Sequence, residues 1–381
     1  MIYLDNAATS FPKPMCTVQE VVRCMTEYCG NPGRGGHTLS LEAAKKVFEC
    51  RMDVAELVGS STPEGIVFTQ NTTHALNLVI KGLLKKGDHV IISDMEHNSV
   101  LRPIARLADD GIIEYSIFPT RVLEKNRSPS LICAGIARRM KPNTRAVICS
   151  AASNVCSITL PIKNIGEFCK KHGLYFIVDA AQLAGHLPIS MEKMKIDALC
   201  APSHKALYGP QGAGFAALSP SLAEKLSTLT EGGNGVNSFE VFMPETSPER
   251  YEAGTLATPS IAGLSEGIKY IRALGIDEIN RHESELFVYA RELLMNTSGV
   301  TVYAPEHVGS VLSFNKDGVS SEELARKLND YEICVRGGYH CSPLAHKALG
   351  TEESGTVRIS FGIFNKKSEI AALAKAVDEI K

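Results

Sequence analysis

No apolar run in this 381-residue chain reaches the ~18 residues that a membrane-crossing helix needs. Neither sign of charge dominates. The net charge is −2 at pH 7, so no basic excess points to nucleic acid, and no polybasic run points to an anionic membrane surface. CxxC pairs are missing too. The 11 cysteines are odd in number and scattered, which supports neither a zinc ribbon nor a disulfide framework. Cys149 in AVICS and Cys200 in DALCAP fall in strand-like runs, where a thiol serves as a small buried hydrophobe. A secretory leader is not expected either. MIYLDNAATSFPKP places Asp5 where such a leader would be cationic and then apolar, so a cytoplasmic location is expected. Internal repeats and low-complexity segments are absent from the sequence.

What is present is a hydrophobic content of 44%, enough for a sizeable core and for two or three domains. From about residue 65, short β-branched runs alternate with helical patterns. GIVFT precedes THALNLVIKGLL, HVIIS precedes a helix from about Ser99, RAVICS precedes IKNIGEFCKKHG, and LYFIVDA follows. That alternation predicts an α/β fold, a mainly parallel sheet with helices on both faces. Near YEAGTLATP (251–259) the texture changes to long helical patterns, the short strands SVLSFN and TVRISFG, and a closing helix near 366–380. A small α+β unit is expected there. The boundaries we draw are 15–255 for a large cofactor-binding domain, with 1–14 and 256–381 forming the small one. The Gly-rich stretch 231–250 reads as a long irregular loop, of a length that is often functional.

Several residues carry chemistry. Lys205, in SHKALYGP, follows an apolar strand; taken alone it is an ordinary loop lysine. Asp179 ends the strand YFIVD and Gln182 follows; taken alone Asp179 is a helix N-cap. Together, a carboxylate at a strand end and a lysine 26 positions later suit pyridoxal phosphate. The lysine forms the Schiff base, and the carboxylate keeps the pyridine nitrogen protonated so that the ring accepts electrons from substrate Cα. Asn71-Thr72-Thr73, between a strand and an amphipathic helix, offers a phosphate cradle or a plain N-cap. His97 in EHNSV follows another strand end and is either a stacking ring or a surface histidine. RGGYHCSPL (336–344) sets Cys341 in a turn-like segment, where a half-buried structural thiol is the plain alternative.

These segments, with LDNAATSFPKP, SNVCSITLPI, YEAGT and VRISFGIFN, resemble the class V aminotransferase family, and within it the cysteine desulfurases and selenocysteine lyases. The likeness runs through nearly the whole chain. It implies a fold type I pyridoxal-phosphate transferase, dimeric, with sites completed by the partner chain. By this resemblance Lys205 is the Schiff-base lysine, Asp179 the pyridinium partner, Gln182 the donor to the phenolic oxygen and His97 the stacking ring. Thr73 and His204 match phosphate ligands, with Thr72 adjoining, and Thr255 matches a phosphate ligand lent by the other subunit. Asn154 and Arg358 match the groups that hold the substrate carboxylate. A guanidinium fork independently suits that task. Cys341 falls where desulfurases keep the thiol that takes substrate sulfur, with Arg336, also expected to bind substrate, and His340 as its sequence neighbours to watch.

Two departures stand out. Where desulfurases often have a small hydroxyl residue three positions before the lysine, this chain has Pro202, and Ser203 is the candidate replacement. The segment from Cys341 to TVRIS is short, resembling a short-loop subgroup, so a dedicated sulfur-acceptor protein is expected. The expected activity is conversion of L-cysteine to L-alanine with a persulfide on Cys341. Selenocysteine lyase activity, another class V aminotransferase or lyase activity, and a silent carrier of the same fold are the alternatives.

Overall fold

The structure is a computed structural model that describes residues 1–33, 35–124, 127–304 and 306–381. Its strands are β1 (Ile2–Tyr3), β2 (Ile66–Thr69), β3 (His89–Ser93), β4 (Glu114–Phe118), β5 (Thr144–Ser150), β6 (Tyr175–Asp179), β7 (Ala198–Pro202), β8 (Gly214–Leu218), β9 (Val300–Tyr303), β10 (Val311–Lys316), β11 (Ile333–Cys334) and β12 (Val357–Ser360). Its α-helices are α1 (Met15–Arg23), α2 (Thr38–Val58), α3 (Thr72–Leu83), α4 (Asn98–Asp109), α5 (Pro129–Ala137), α6 (Ile162–His172), α7 (Pro220–Ala223), α8 (Thr258–Leu274), α9 (Ile276–Met295), α10 (Ser321–Asp330), α11 (Pro343–Leu349) and α12 (Lys367–Glu379).

Seven strands form the large sheet in the order β2-β8-β7-β6-β5-β3-β4. The pairs from β4 through β7 are parallel, and β8 runs antiparallel to both of its neighbours. Alternate residues of each strand serve opposite faces. Ile91, Val147 and Val178 pack with α2, α5, α6 and α8, while Ile92, Ile148 and Ile177 pack with α3 and α4. Both faces are covered, which is why these runs are apolar without strict alternation. Cys149 and Cys200 are buried in this core.

The small sheet, β12-β10-β9, is antiparallel and buries Leu312, Phe314, Val357 and Ile359 against α9 and α12. Leu4, from the start of the chain, joins that cluster. YEICVRGG forms only the short strand β11, paired in parallel with β1. The stretch 224–257, which contains the expected loop, has no helix or strand. Among the described residues no helix is long and apolar enough to cross a membrane.

Candidate active site

Strand direction puts the carboxyl ends of β2, β3, β5, β6 and β7 on one edge of the large sheet, the edge where open α/β sheets bind ligands. A cavity of about 180 Å³ lies there. After β2 come Asn71, Thr72 and Thr73; after β3, His97 and Ser99; after β5, Ala152 and Asn154. After β6 come Ala181 and Gln182, and after β7, His204 and Lys205.

Asp179, the last residue of β6, is paired in register with Ser150 on one side and Cys200 on the other. Its Oδ1 accepts the Ala181 N–H at 2.9 Å. Burial raises its pKa, against which the Ala181 hydrogen bond and the Lys205 charge act. A buried carboxylate of this kind calls for a cation. Burial pushes the Lys205 ammonium down to about 8; Asp179 opposes the shift, while Arg358 and Arg336 add to it. A larger share of the amine is thereby neutral at physiological pH than for a solvated lysine, and the neutral form is the one that attacks a carbonyl.

The phosphate end is built on α3. Asn71 caps it, its Oδ1 accepting the His74 N–H at 2.9 Å, and the remaining first-turn N–H groups lack intrahelical acceptors. Gly214 allows this. A Cβ there would lie 2.9 Å from the Asn71 backbone and 3.0 Å from the Ala201 carbonyl. Thr72 Oγ1 and His204 Nδ1 are buried with no hydrogen-bond partner among the described residues. Unpaired buried polar atoms are costly unless a ligand meets them. Thr73 Oγ1 is 2.8 Å from Ser99 Oγ, which is also 2.8 Å from His97 Nδ1. His97 Nδ1 accepts the Ser99 N–H at 3.0 Å, so the ring proton resides on Nε2. Burial, then the charges of Lys205, Arg336 and Arg358, hold His97 down to about 4, and burial does the same to His204. Both rings are neutral.

Other expected residues sit differently. Pro202 reaches the cavity but Ser203 does not. The Ser203 hydroxyl is buried toward Gly209, where a Cβ would come within 2.0 Å of it, so it supplies no replacement for the hydroxyl lost at Pro202. Arg358 is fully buried and already engaged: Nη2 donates to Asp5 Oδ1 at 2.7 Å and Nη1 to the Asn154 carbonyl at 3.2 Å, while Nε has no partner among the described residues. Arg336 is bridged to Arg358 through backbone hydrogen bonds in both directions. Gln182 donates to the Ala7 carbonyl at 3.1 Å. Cys341 is exposed, and its carbonyl accepts the N–H of Asn98, the residue after His97, at 2.8 Å. Thr255 is exposed and lies outside the cavity, with Asn31 Nδ2 at 3.5 Å.

Sequence reasoning read the N-terminal segment as a motif but gave its residues no role in the site. Thr9, Ser10 and Lys13 all donate to the His204 carbonyl, and Ser10 donates to that of Lys205 at 2.9 Å. Glu96 was missed as well. It joins Ser93, at the end of β3, to Ser150, at the end of β5, and burial pushes its carboxyl up to about 8. Its position in EHNSV, beside His97, was the available signal.

A doubly covered, mainly parallel sheet with a lysine and a carboxylate at its strand ends defines a fold type I pyridoxal-phosphate enzyme fold. The chain belongs to the class-V aminotransferase family, whose profile matches residues 2–373. It is 33% identical to a probable cysteine desulfurase of Methanothermobacter thermautotrophicus, over all of this chain and 94% of that protein. It is 29% identical to a cysteine desulfurase of Yersinia pestis, over all of this chain and 93% of that one. Among solved structures, an apo cysteine desulfurase from Thermococcus onnurineus superposes with a TM-score of 0.89 at 32% identity, covering 99% of this chain and 94% of that one. A cysteine desulfurase from Escherichia coli gives a TM-score of 0.87 at 27% identity, over 99% and 93%.

Proposed function

We propose that this chain is a pyridoxal-phosphate-dependent cysteine desulfurase that converts L-cysteine to L-alanine and leaves the sulfur as a persulfide on Cys341. The observation that carries this is the pairing of Lys205 and Asp179 in one cavity with the Cys341 turn hydrogen-bonded beside His97. Full-length likeness to proteins named cysteine desulfurase supports it.

The residues fit the cofactor. Lys205 would carry it, Asp179 would meet its pyridine nitrogen, and Thr72, Thr73 and His204 would hold its phosphate. Gln182 would face its phenolic oxygen and His97 its ring. When bound, pyridoxal phosphate supplies the electron sink for charge released at substrate Cα. The Lys205 amine would take the Cα proton and later return it. Asn154 and the free Nε of Arg358 receive the substrate carboxylate, and Asp5 fixes the other end of the guanidinium. The Cys341 thiolate attacks the substrate sulfur. An S–S bond forms, the Cβ–S bond breaks with its electron pair left on carbon, and a proton at Cβ completes alanine.

The reading includes a cytoplasmic homodimer, two domains dividing near residue 255, and a protein that collects the sulfur. Exposure of Thr255 away from its own cavity supports a contribution to a second chain. So do the exposed apolar side chains Phe239, Val241 and Phe242 in the preceding loop and Met15, Val18 and Val22 on α1. Steady-state alanine release from cysteine and from selenocysteine, with and without a reductant, tests the reaction. Turnover of cysteine that is unimpaired in Cys341→Ala would overturn it in favour of another class V lyase. Turnover of selenocysteine alone would mark a selenocysteine lyase.

A further inference from the structure

The turn that carries Cys341 is fastened on every side except at the thiol. His340 and Cys341 are adjacent residues with φ of +49° and +58°, a left-handed conformation that residues with side chains rarely adopt. Such a turn persists only where its surroundings hold it. Asn154 Nδ2 donates to the His340 carbonyl at 2.7 Å, and the Ser342 hydroxyl donates to Asn154 Oδ1 at 2.7 Å. One amide therefore grips both neighbours of Cys341. The Asn98 N–H holds the Cys341 carbonyl, and His340 Nε2 lies 3.0 Å from the Thr356 carbonyl. His340, Ser342 and Asn154 are all buried, whereas Cys341 is exposed. Asn154 also lines the cavity, and its backbone carbonyl accepts from Arg358.

We propose that Asn154 and Ser342 form a latch that couples occupation of the carboxylate subsite to the placement of the Cys341 thiol. This rests on the desulfurase reading above. The Asn154 amide has one Nδ2 hydrogen uncommitted, so it can take a carboxylate oxygen without releasing His340. Any shift it makes toward that carboxylate is passed to both shoulders of Cys341. Ser342 is then a positioning residue: it touches neither substrate nor cofactor and acts through Asn154.

The test uses the holoenzyme and L-alanine, which has the amine and carboxylate of the substrate but no sulfur. Alkylation of Cys341 by iodoacetamide is followed by peptide mass spectrometry with and without saturating alanine. In the wild type alanine is expected to change the alkylation rate by about fivefold, the scale of a modest coupling between sites. In Ser342→Ala the change disappears while the absorbance of the bound cofactor is retained, and persulfide formation from cysteine slows by about fivefold, the scale of one lost hydrogen bond. Ser342→Thr, which keeps the hydroxyl, retains the coupling. Alkylation that ignores alanine in the wild type overturns the latch whatever the variants do, and so does an equal alanine effect in wild type and Ser342→Ala. A wild type that releases no alanine from cysteine overturns the desulfurase reading instead, and the alkylation arm still judges the latch.

Discussion

Lys205 owes its chemistry to its surroundings. An ammonium held down to about 8 is about one-tenth neutral at pH 7, far more than a solvated lysine. Only the neutral amine attacks an aldehyde. Capture of pyridoxal phosphate by the unloaded chain should therefore quicken about tenfold per pH unit below pH 8 and level off above it. Stopped-flow absorbance reads this, and a rate flat from acid to alkaline pH would refute the assignment. Borohydride reduction should place the label on Lys205 and nowhere else. His97 and His204, neutral down to about pH 4, add no inflection near pH 6.5. Asp179→Ala should retain cofactor poorly and turn over slowly, because the pyridine nitrogen loses the charge that keeps it protonated. Near wild-type turnover with full cofactor occupancy would count against that role. At this scale the sequence was legible where spacing carries meaning. Asp179 ends a strand, Lys205, His97 and Thr73 lie just past strand ends, and the structure brings all four into one cavity. Commitments made across the chain were not legible. Nothing local tells that the Arg358 guanidinium is held by Asp5, or that the Asn154 amide also grips the turn around Cys341.

The elements that bear these residues were legible in proportion to their periodicity. β2, β3 and β5 are β-branched apolar runs followed by helical patterns, so a mainly parallel sheet follows from the alternation. β8 was not read from its sequence. GFAAL is short and rich in alanine, and it runs against its neighbours, a reversal that only pairing shows. Yet β8 seats the phosphate end of the cavity, because its first residue, Gly214, lies against Asn71. Gly214→Ala should force the start of α3 away from β8, an overpacking cost of about 1–3 kcal/mol. We expect a lower Tm and faster loss of cofactor on dialysis. Unchanged retention would show that the cradle does not depend on this approach. A similar dependence joins α2 to the segment before Thr255. Arg51 forms a buried pair with Glu252, whose Oε1 also accepts the Phe68 N–H at 2.6 Å. Arg51→Met strands that carboxylate and should lower stability by about 3–5 kcal/mol in denaturant titrations.

Across the whole molecule, the proposed dimer makes each site a joint product of two chains. That arrangement has a test independent of size measurements. Lys205→Ala lacks the linking amine, and Thr255→Val lacks the hydroxyl lent across the interface. In a hybrid of the two, one site carries both defects and the other carries neither. Mixing and reassembling the two weak variants should therefore restore activity, approaching half that of the wild type in the hybrid species. No recovery after verified exchange of chains would place Thr255 outside the partner's site. The sequence changes texture near residue 255, where the proposed division into two domains falls. It did not show that α8, which lies beyond that point, packs its Ile261, Leu264 and Ile268 into the core of the large sheet. Helical periodicity reports that a face is apolar and not which surface covers it.

The N-terminal segment that touches Arg358, Gln182, His204 and Lys205 also sets a schedule for biosynthesis. Asp5 and Arg358 are 353 residues apart in the chain. At about 5–20 residues per second on the ribosome, Asp5 waits roughly 20–70 s for its partner to be made. Late in that interval, once β8 and α8 have been made, the sheet can form with its helices, but the clasp over Lys205 has no far anchor. The cofactor end of the protein should therefore stay unclasped until its synthesis is nearly finished.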